Sequence, residues 1–203
     1  MAKKMRTFAD VLLFGVTAVE LALLFYLLGS FTIVDWIYIA QHVMVLAIAL
    51  TRRSPQGQDR SLLSGAAVLV AYTYAYAQVL WLVWVRGTPA WPAGGLILVT
   101  LGAGLSIASL GTLGRSFGNR PALRVLTTIG PYRLVRHPMY LSYVLADIGY
   151  NLREWNSGTV LLVIAGWAAL VYRIVAEERI LSRDAGWSSY ATLVRHRLLP
   201  GIW

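Results

Sequence analysis

The chain has 203 residues, 58% of them hydrophobic and 13% charged, with a formal net charge of +9 and no cysteine. A soluble domain of that length cannot bury so many apolar side chains and still present a polar surface, whereas a bilayer removes that constraint. The missing cysteines exclude disulfides, thiolate nucleophiles and cysteine-ligated metal or iron–sulfur sites.

Six apolar segments are predicted. The first, residues 8–29, follows a basic start and is long enough to span, with no small-residue cleavage site after it, so no cleavable signal is expected. The second, 31–50, follows after almost no loop, and a polar loop at 51–61 carries Arg52, Arg53 and Arg60. The third is 62–85, and the fourth, 94–114, is rich in glycine and alanine, which permits close helix packing. A basic stretch, 115–136, precedes a short fifth segment at 138–152. The sixth starts at 157 and continues as helix to 182. The expected fold is therefore all-α: a polytopic transmembrane bundle of five to six segments. It forms one integral membrane domain, 1–203, with scaffold helices in 1–114 and a functional region in 115–203.

Charge orients this bundle. With the N-terminus cytoplasmic and six crossings, cytoplasmic segments hold Lys3, Lys4, Arg6, Arg52, Arg53, Arg60, Arg115, Arg120, Arg124, Arg133, Arg136, Arg179, Arg183, Arg195 and Arg197, which is 15 of the 18 basic residues. The positive-inside rule then places both termini in the cytoplasm, and the positive charge belongs to membrane orientation rather than to nucleic acid. The fifth segment has 15 residues, about 22 Å of helix against a hydrocarbon core of about 30 Å. It is expected to begin below the membrane surface, with a pocket above it.

Ionisable residues in apolar segments carry a functional hypothesis by default; here they are Glu20, Asp35, His42, Asp147, Arg173, Glu177 and Glu178. Three scattered histidines offer no metal-ligand spacing. Arg173 and Glu177 are spaced i,i+4 and share a helix face. That spacing fits an intrahelical ion pair with Glu178 facing solvent. It equally fits a cation for an anionic substrate beside a carboxylate for a cofactor amine or ribose. The segment 130–140, GPYRLVRHPMY, is the richest. Gly130-Pro131 marks a turn and Pro138 suits the first turn of a helix. The unpartnered N–H groups of that turn can bind a carboxylate or phosphate, reinforced by Arg133 and Arg136. Tyr132 and Tyr140 offer flat faces to a purine or a cation. A membrane-surface turn with snorkelling arginines and belt tyrosines has the same composition.

The stretch GPYRLVRHPMY, followed by AEERILSRDAGWSSY at 176–190 and LLPGIW at 198–203, resembles the isoprenylcysteine carboxyl methyltransferase family, whose superfamily includes membrane phospholipid N-methyltransferases. The similarity covers residues 111–203. It implies an integral membrane enzyme that uses S-adenosylmethionine, bound on the cytoplasmic side between the last two helices; the compact chain itself is expected in a prokaryotic inner membrane. Carried over by position, the cofactor contacts Arg124, Val125, Leu126, Thr127, Tyr132, His137, Pro138, Met139, Tyr140 and Glu177. Arg173 faces the substrate carboxylate and forms with Glu177 the catalytic pair. Methyl transfer to a carboxylate needs no general base, so His137 is expected as a ligand and no proton-transfer dyad is required. The implied acceptor is lipidic or small and apolar: a prenylated cysteine, an isoprenoid acid, a small thiol or a phospholipid amine. NADPH-dependent membrane sterol reductases share a similar C-terminal region, with Arg124, Arg133 and Arg136 available to a 2′-phosphate. A non-enzymatic scaffold whose basic face binds anionic lipid is a third reading.

Overall fold

The computed structural model describes residues 33–51, 56–59, 61–86, 92–118, 121–123, 125–153, 157–201 and 203, with 15, 17–19, 21–22 and 25–26 of the first apolar segment. Residues 1–6, Glu20, Arg52, Arg53, Arg60, Arg120 and Arg124 lie outside the described residues, as does the side chain of Asp35.

Six helices are described: α1 (Ile33–Thr51), α2 (Leu62–Arg86), α3 (Ala93–Leu113), α4 (Pro138–Arg153), α5 (Ser157–Leu181) and α6 (Trp187–Leu193), with 3₁₀ turns at Gly114–Ser116 and Gly130–Arg133. The bundle is helical, as expected from unbroken apolar runs. One feature has no counterpart in the sequence reading: β1 (Gln56–Gln58) pairs antiparallel with β2 (Ala122–Leu123), Gln56 opposite Leu123. Neither stretch has an alternating pattern, because backbone hydrogen bonding between two loops needs none. The ribbon ties the 51–59 loop to the basic stretch, and the Arg115 Nε donates to the Thr51 carbonyl over 2.9 Å.

Helix contacts follow the small residues. A Cβ on Gly102 would lie 2.7 Å from the Ser142 carbonyl oxygen, and one on Gly149 would lie 2.7 Å from that of Gly95. The α3 and α4 backbones therefore touch where side chains are absent. A Cβ on Gly166 would collide with the Tyr74 ring, which seats α2 on α5. A buried polar cluster joins three helices. Asp147 Oδ2 accepts from the Tyr74 hydroxyl (2.9 Å) and from the Trp167 indole N–H (2.8 Å). The Asn151 amide donates to the Asp147 carbonyl and to Gln78 Oε1. These partners let a buried carboxylate persist in an apolar bundle.

Among the described residues, two stretches are long and apolar enough to cross a membrane, Ala93–Ser116 and Ser157–Leu181. Only 33% and 28% of their most apolar windows are buried inside the protein. Leu101, Leu161 and Ile164 point outward, each more than half exposed. A core helix of a soluble protein would bury that surface; these helices turn it to the surroundings, the arrangement of a membrane-associated protein. Shorter apolar stretches, Ile39–Ile48 and Leu62–Ala71, lie in α1 and α2.

Candidate active site

The site forms where the end of α3 and the turn after it, the 125–137 segment, the start of α4, the end of α5 and α6 converge. Its entry turn requires glycine: Gly130 has φ of +60°, and a Cβ there would lie 2.7 Å from Thr112 Oγ1. Pro131 follows in the 3₁₀ turn, and Tyr132 is buried. The Tyr190 hydroxyl donates to the Tyr132 carbonyl over 2.8 Å, fixing α6 to this turn. Burial pushes the Tyr190 phenol up to about 12 and raises that of Tyr132 well above its ordinary value, with the Glu177 charge the next contributor at Tyr132.

Pro138 opens α4, as its missing N–H allows. The donors just before it are committed. The N–H groups of Arg136 and His137 donate to the carbonyls of His196 and Arg197, each over 2.9 Å. First-turn donation therefore falls to Met139 and Tyr140, both beside the pocket.

The pocket has about 760 Å³ of empty space, counting its open mouth. Tyr140 is its organising side chain. Its hydroxyl donates to Glu177 Oε2 over 3.0 Å. Its ring centroid lies 5.2 Å from the Arg173 guanidinium carbon and 5.6 Å from the His137 ring. The i,i+4 pair is thus bridged by an aromatic residue from the neighbouring helix. The Tyr140 ring in turn packs on Leu170 and Ile174.

The phospholipid methyltransferase family matches residues 91–184, which take in α3, α4, α5 and the intervening turns. Protein-S-isoprenylcysteine O-methyltransferase A of Arabidopsis thaliana is 24% identical over 185 residues, 88% of this chain and 89% of that protein. Probable protein-S-isoprenylcysteine O-methyltransferases of Oryza sativa subsp. indica and subsp. japonica are each 32% identical over 118 residues, 53% of this chain and 60% of theirs. The chain is thus similar to the phospholipid methyltransferase family over 91–184 and to isoprenylcysteine O-methyltransferases of plants. It is a methyltransferase.

Most residues singled out in this methyltransferase by sequence share one pocket. Val125, Leu126, Thr127, Tyr132, His137, Met139, Tyr140, Arg173 and Glu177 all line it. Pro138 is fully buried at the helix start and stands behind the lining. Arg124 lies outside the described residues. One reading is corrected. Glu178 does not face solvent: it is 9% exposed and paired with Arg136, His137 and Arg197. Of the two arginines expected beside the helix start, Arg136 lines the pocket while also bound to Glu178, and Arg133 is exposed and outside the lining.

Sequence reasoning did not single out Phe117, Trp187 and Tyr190, which also line the pocket. Trp187 and Tyr190 meet edge to face at 5.8 Å and pack against Leu126 and Leu181. Their i,i+3 spacing in a short helix after a glycine was the available signal. Asp147 lies two turns along α4 from Tyr140 and belongs to the structural cluster described above.

Proposed function

We propose that this protein is a multi-pass membrane methyltransferase that takes its methyl group from S-adenosylmethionine and transfers it to a carboxylate of a lipidic or small apolar acceptor. The observation that carries the reading is Tyr140, which touches both Glu177 and Arg173 inside one pocket.

The pocket's chemistry fits the cofactor. Phe117, Leu126, Tyr132 and Trp187 line it with apolar and aromatic surface suited to an adenine. Glu177 supplies a carboxylate for an amino group or a ribose hydroxyl. The start of α4 supplies N–H donors and a positive helix end for a carboxylate. Tyrosine faces are attractive to a sulfonium. Bound there, S-adenosylmethionine supplies an electrophilic methyl group that transfers by in-line displacement. Glu177 and Tyr140 hold the donor side. Arg173 would hold the acceptor carboxylate, whose oxygen would bond to the methyl carbon as the carbon–sulfur bond breaks, leaving S-adenosylhomocysteine and releasing no proton. The chain's task is alignment and exclusion of water, and His137 serves as a ligand. The names of the plant relatives favour a prenylcysteine carboxylate as acceptor, and the family matched over 91–184 keeps a phospholipid amine as the second reading.

The same proposal treats residues 1–114 as scaffold and 115–203 as the cofactor-binding and catalytic region of one integral membrane domain. Five to six segments cross a prokaryotic inner membrane with both termini cytoplasmic, in keeping with the distribution of basic residues.

Calorimetric titration of the detergent-purified protein with S-adenosylhomocysteine should show binding, weakened by Glu177→Ala. Radiolabelled methyl transfer to farnesylcysteine should give a base-labile ester, whereas transfer to phosphatidylethanolamine gives a base-stable product. Folded protein that binds neither S-adenosylmethionine nor S-adenosylhomocysteine, but is stabilised on heating by NADPH, would overturn the proposal in favour of a reductase.

A further inference from the structure

Glu178 is absent from the pocket lining, yet its carboxylate meets three side chains beside it, those of Arg136, His137 and Arg197. Its Oε1 lies 3.2 Å from Arg136 Nη1 and 3.2 Å from His137 Nε2, and its Oε2 accepts from Arg197 Nε over 2.8 Å. One buried carboxylate therefore joins α5, the approach to α4 and the 195–203 segment.

That segment is docked on the same element by its backbone. His196 and Arg197 carbonyls take the N–H groups of Arg136 and His137, and Arg136 Nη2 donates to the Arg195 carbonyl over 3.0 Å. The segment also closes on itself. Arg197 and Leu198 N–H groups donate to the Trp203 carbonyl, Gly201 N–H donates to His196 Nδ1, and the Arg197 guanidinium lies 5.0 Å from the Trp203 ring centroid.

Arg136 and His137, the partners of Glu178, themselves line the pocket, and two further routes lead from this latch to its wall. Leu198 and Trp203 pack against the cluster of Tyr140, Leu170 and Ile174, and Tyr140 is the residue that holds Glu177. Arg136, fixed by Glu178 and Arg195, lies 5.9 Å from the ring centroid of Trp187 in the pocket lining. Removing the carboxylate would leave neighbouring cations without their shared anion in a poorly solvated place.

We infer that Glu178 is a positioning residue: it latches the 195–203 segment onto Arg136 and His137, and docking of that segment sets how tightly the pocket holds its cofactor. The coupling half rests on the cofactor reading above; the latch itself does not. Because linkage is reciprocal, an occupied pocket must also strengthen docking of the segment, although the segment itself contributes no residue to the lining.

Hydrogen exchange on the full chain in detergent tests both halves. In the free protein, Glu178→Gln should speed amide exchange in 195–203 and at Arg136 and His137. In the wild type, saturating S-adenosylhomocysteine should slow exchange in 195–203, and Glu178→Gln should abolish that response. The S-adenosylhomocysteine Kd should rise about tenfold in Glu178→Gln and in Arg197→Gln, and the double variant should lose no more than either single one. A purely structural role would not make exchange in a remote segment respond to the ligand. Arg197→Gln, at a side chain one-third exposed, carries the test if Glu178→Gln does not fold. Unchanged exchange of 195–203 in the free variants overturns the latch. A loosened segment with unchanged Kd, or losses that add in the double variant, overturns the coupling. A wild type that binds no S-adenosylhomocysteine removes the cofactor reading and the coupling with it, while exchange in the free protein still decides the latch.

Discussion

Tyr140 and Glu177 meet across α4 and α5, the phenol donating to Oε2 over 3.0 Å. Because the Tyr140 ring also lies beneath Arg173, one side chain fixes the separation of the cation and the carboxylate. Tyr140→Phe should keep the ring contact and lose the hydrogen bond. It should weaken S-adenosylhomocysteine binding by about 1–2 kcal/mol, with thermal stability nearly unchanged. Tyr140→Ala should also open a cavity against Leu170 and Ile174 and destabilise the protein by about 3–5 kcal/mol. Calorimetry and thermal unfolding in one detergent separate the two effects.

Arg173→Lys keeps the charge but loses the planar guanidinium over the Tyr140 ring. If Arg173 serves the acceptor, turnover of farnesylcysteine should fall by about tenfold or more while the Kd for S-adenosylhomocysteine stays within about twofold. A Kd that rises in step with the loss of turnover would place Arg173 on the cofactor side instead.

Gly102 and Gly149 stand at the closest approach of α3 and α4. Gly102→Val forces side-chain atoms onto the Ser142 carbonyl, and it should lower stability by about 1–3 kcal/mol or more. The thermal midpoint of the variant reads this directly. An unchanged midpoint would mean that α3 and α4 separate freely.

The Asp147 cluster makes a different prediction from the pocket. Asp147→Leu strands the Tyr74 hydroxyl and the Trp167 N–H, and should destabilise the protein by about 1–3 kcal/mol for each group left without a partner. Combined with Tyr74→Phe, the loss should be less than additive, since one stranded group has been removed. Ligand affinity in the surviving folded fraction should be unchanged.

Tyr190 ties stability to alkaline pH. Its pKa is raised from 10.0 to about 12 by burial, so the folded state holds the phenolic proton more tightly than the unfolded chain. The stability this contributes is fully present below pH 10 and is lost as pH rises through 12. Tyr190→Phe should flatten that part of the stability profile. It should also cost about 1 kcal/mol at neutral pH through the lost bond to the Tyr132 carbonyl. Unfolding midpoints measured from pH 8 to pH 12 check both statements.

Local chemistry determined the elements. The apolar runs expected at 138–152 and 157–182 are observed as Pro138–Arg153 and Ser157–Leu181, because hydropathy, a helix-opening proline and flanking polar residues act within a few positions of the chain. The i,i+4 spacing likewise put Arg173 and Glu177 on one face, and the RHPMY segment at the mouth of a helix. The side-chain partners were decided elsewhere. Successive helical residues are about 100° apart, so whether Glu177 or Glu178 turns toward the pocket depends on how α5 is rotated against its neighbours. That rotation is set by Tyr74 seated on Gly166 and by Tyr140 packed on Leu170 and Ile174. The commitment of the Arg136 and His137 N–H groups to His196 and Arg197 joins positions some 60 residues apart, and the ribbon joining 56–58 to 122–123 is similarly distant. The sequence by itself determined which segments are helical and which residues carry the chemistry. Only the tertiary structure decided that Glu177 opens onto the pocket while Glu178, its immediate neighbour, closes the latch behind it.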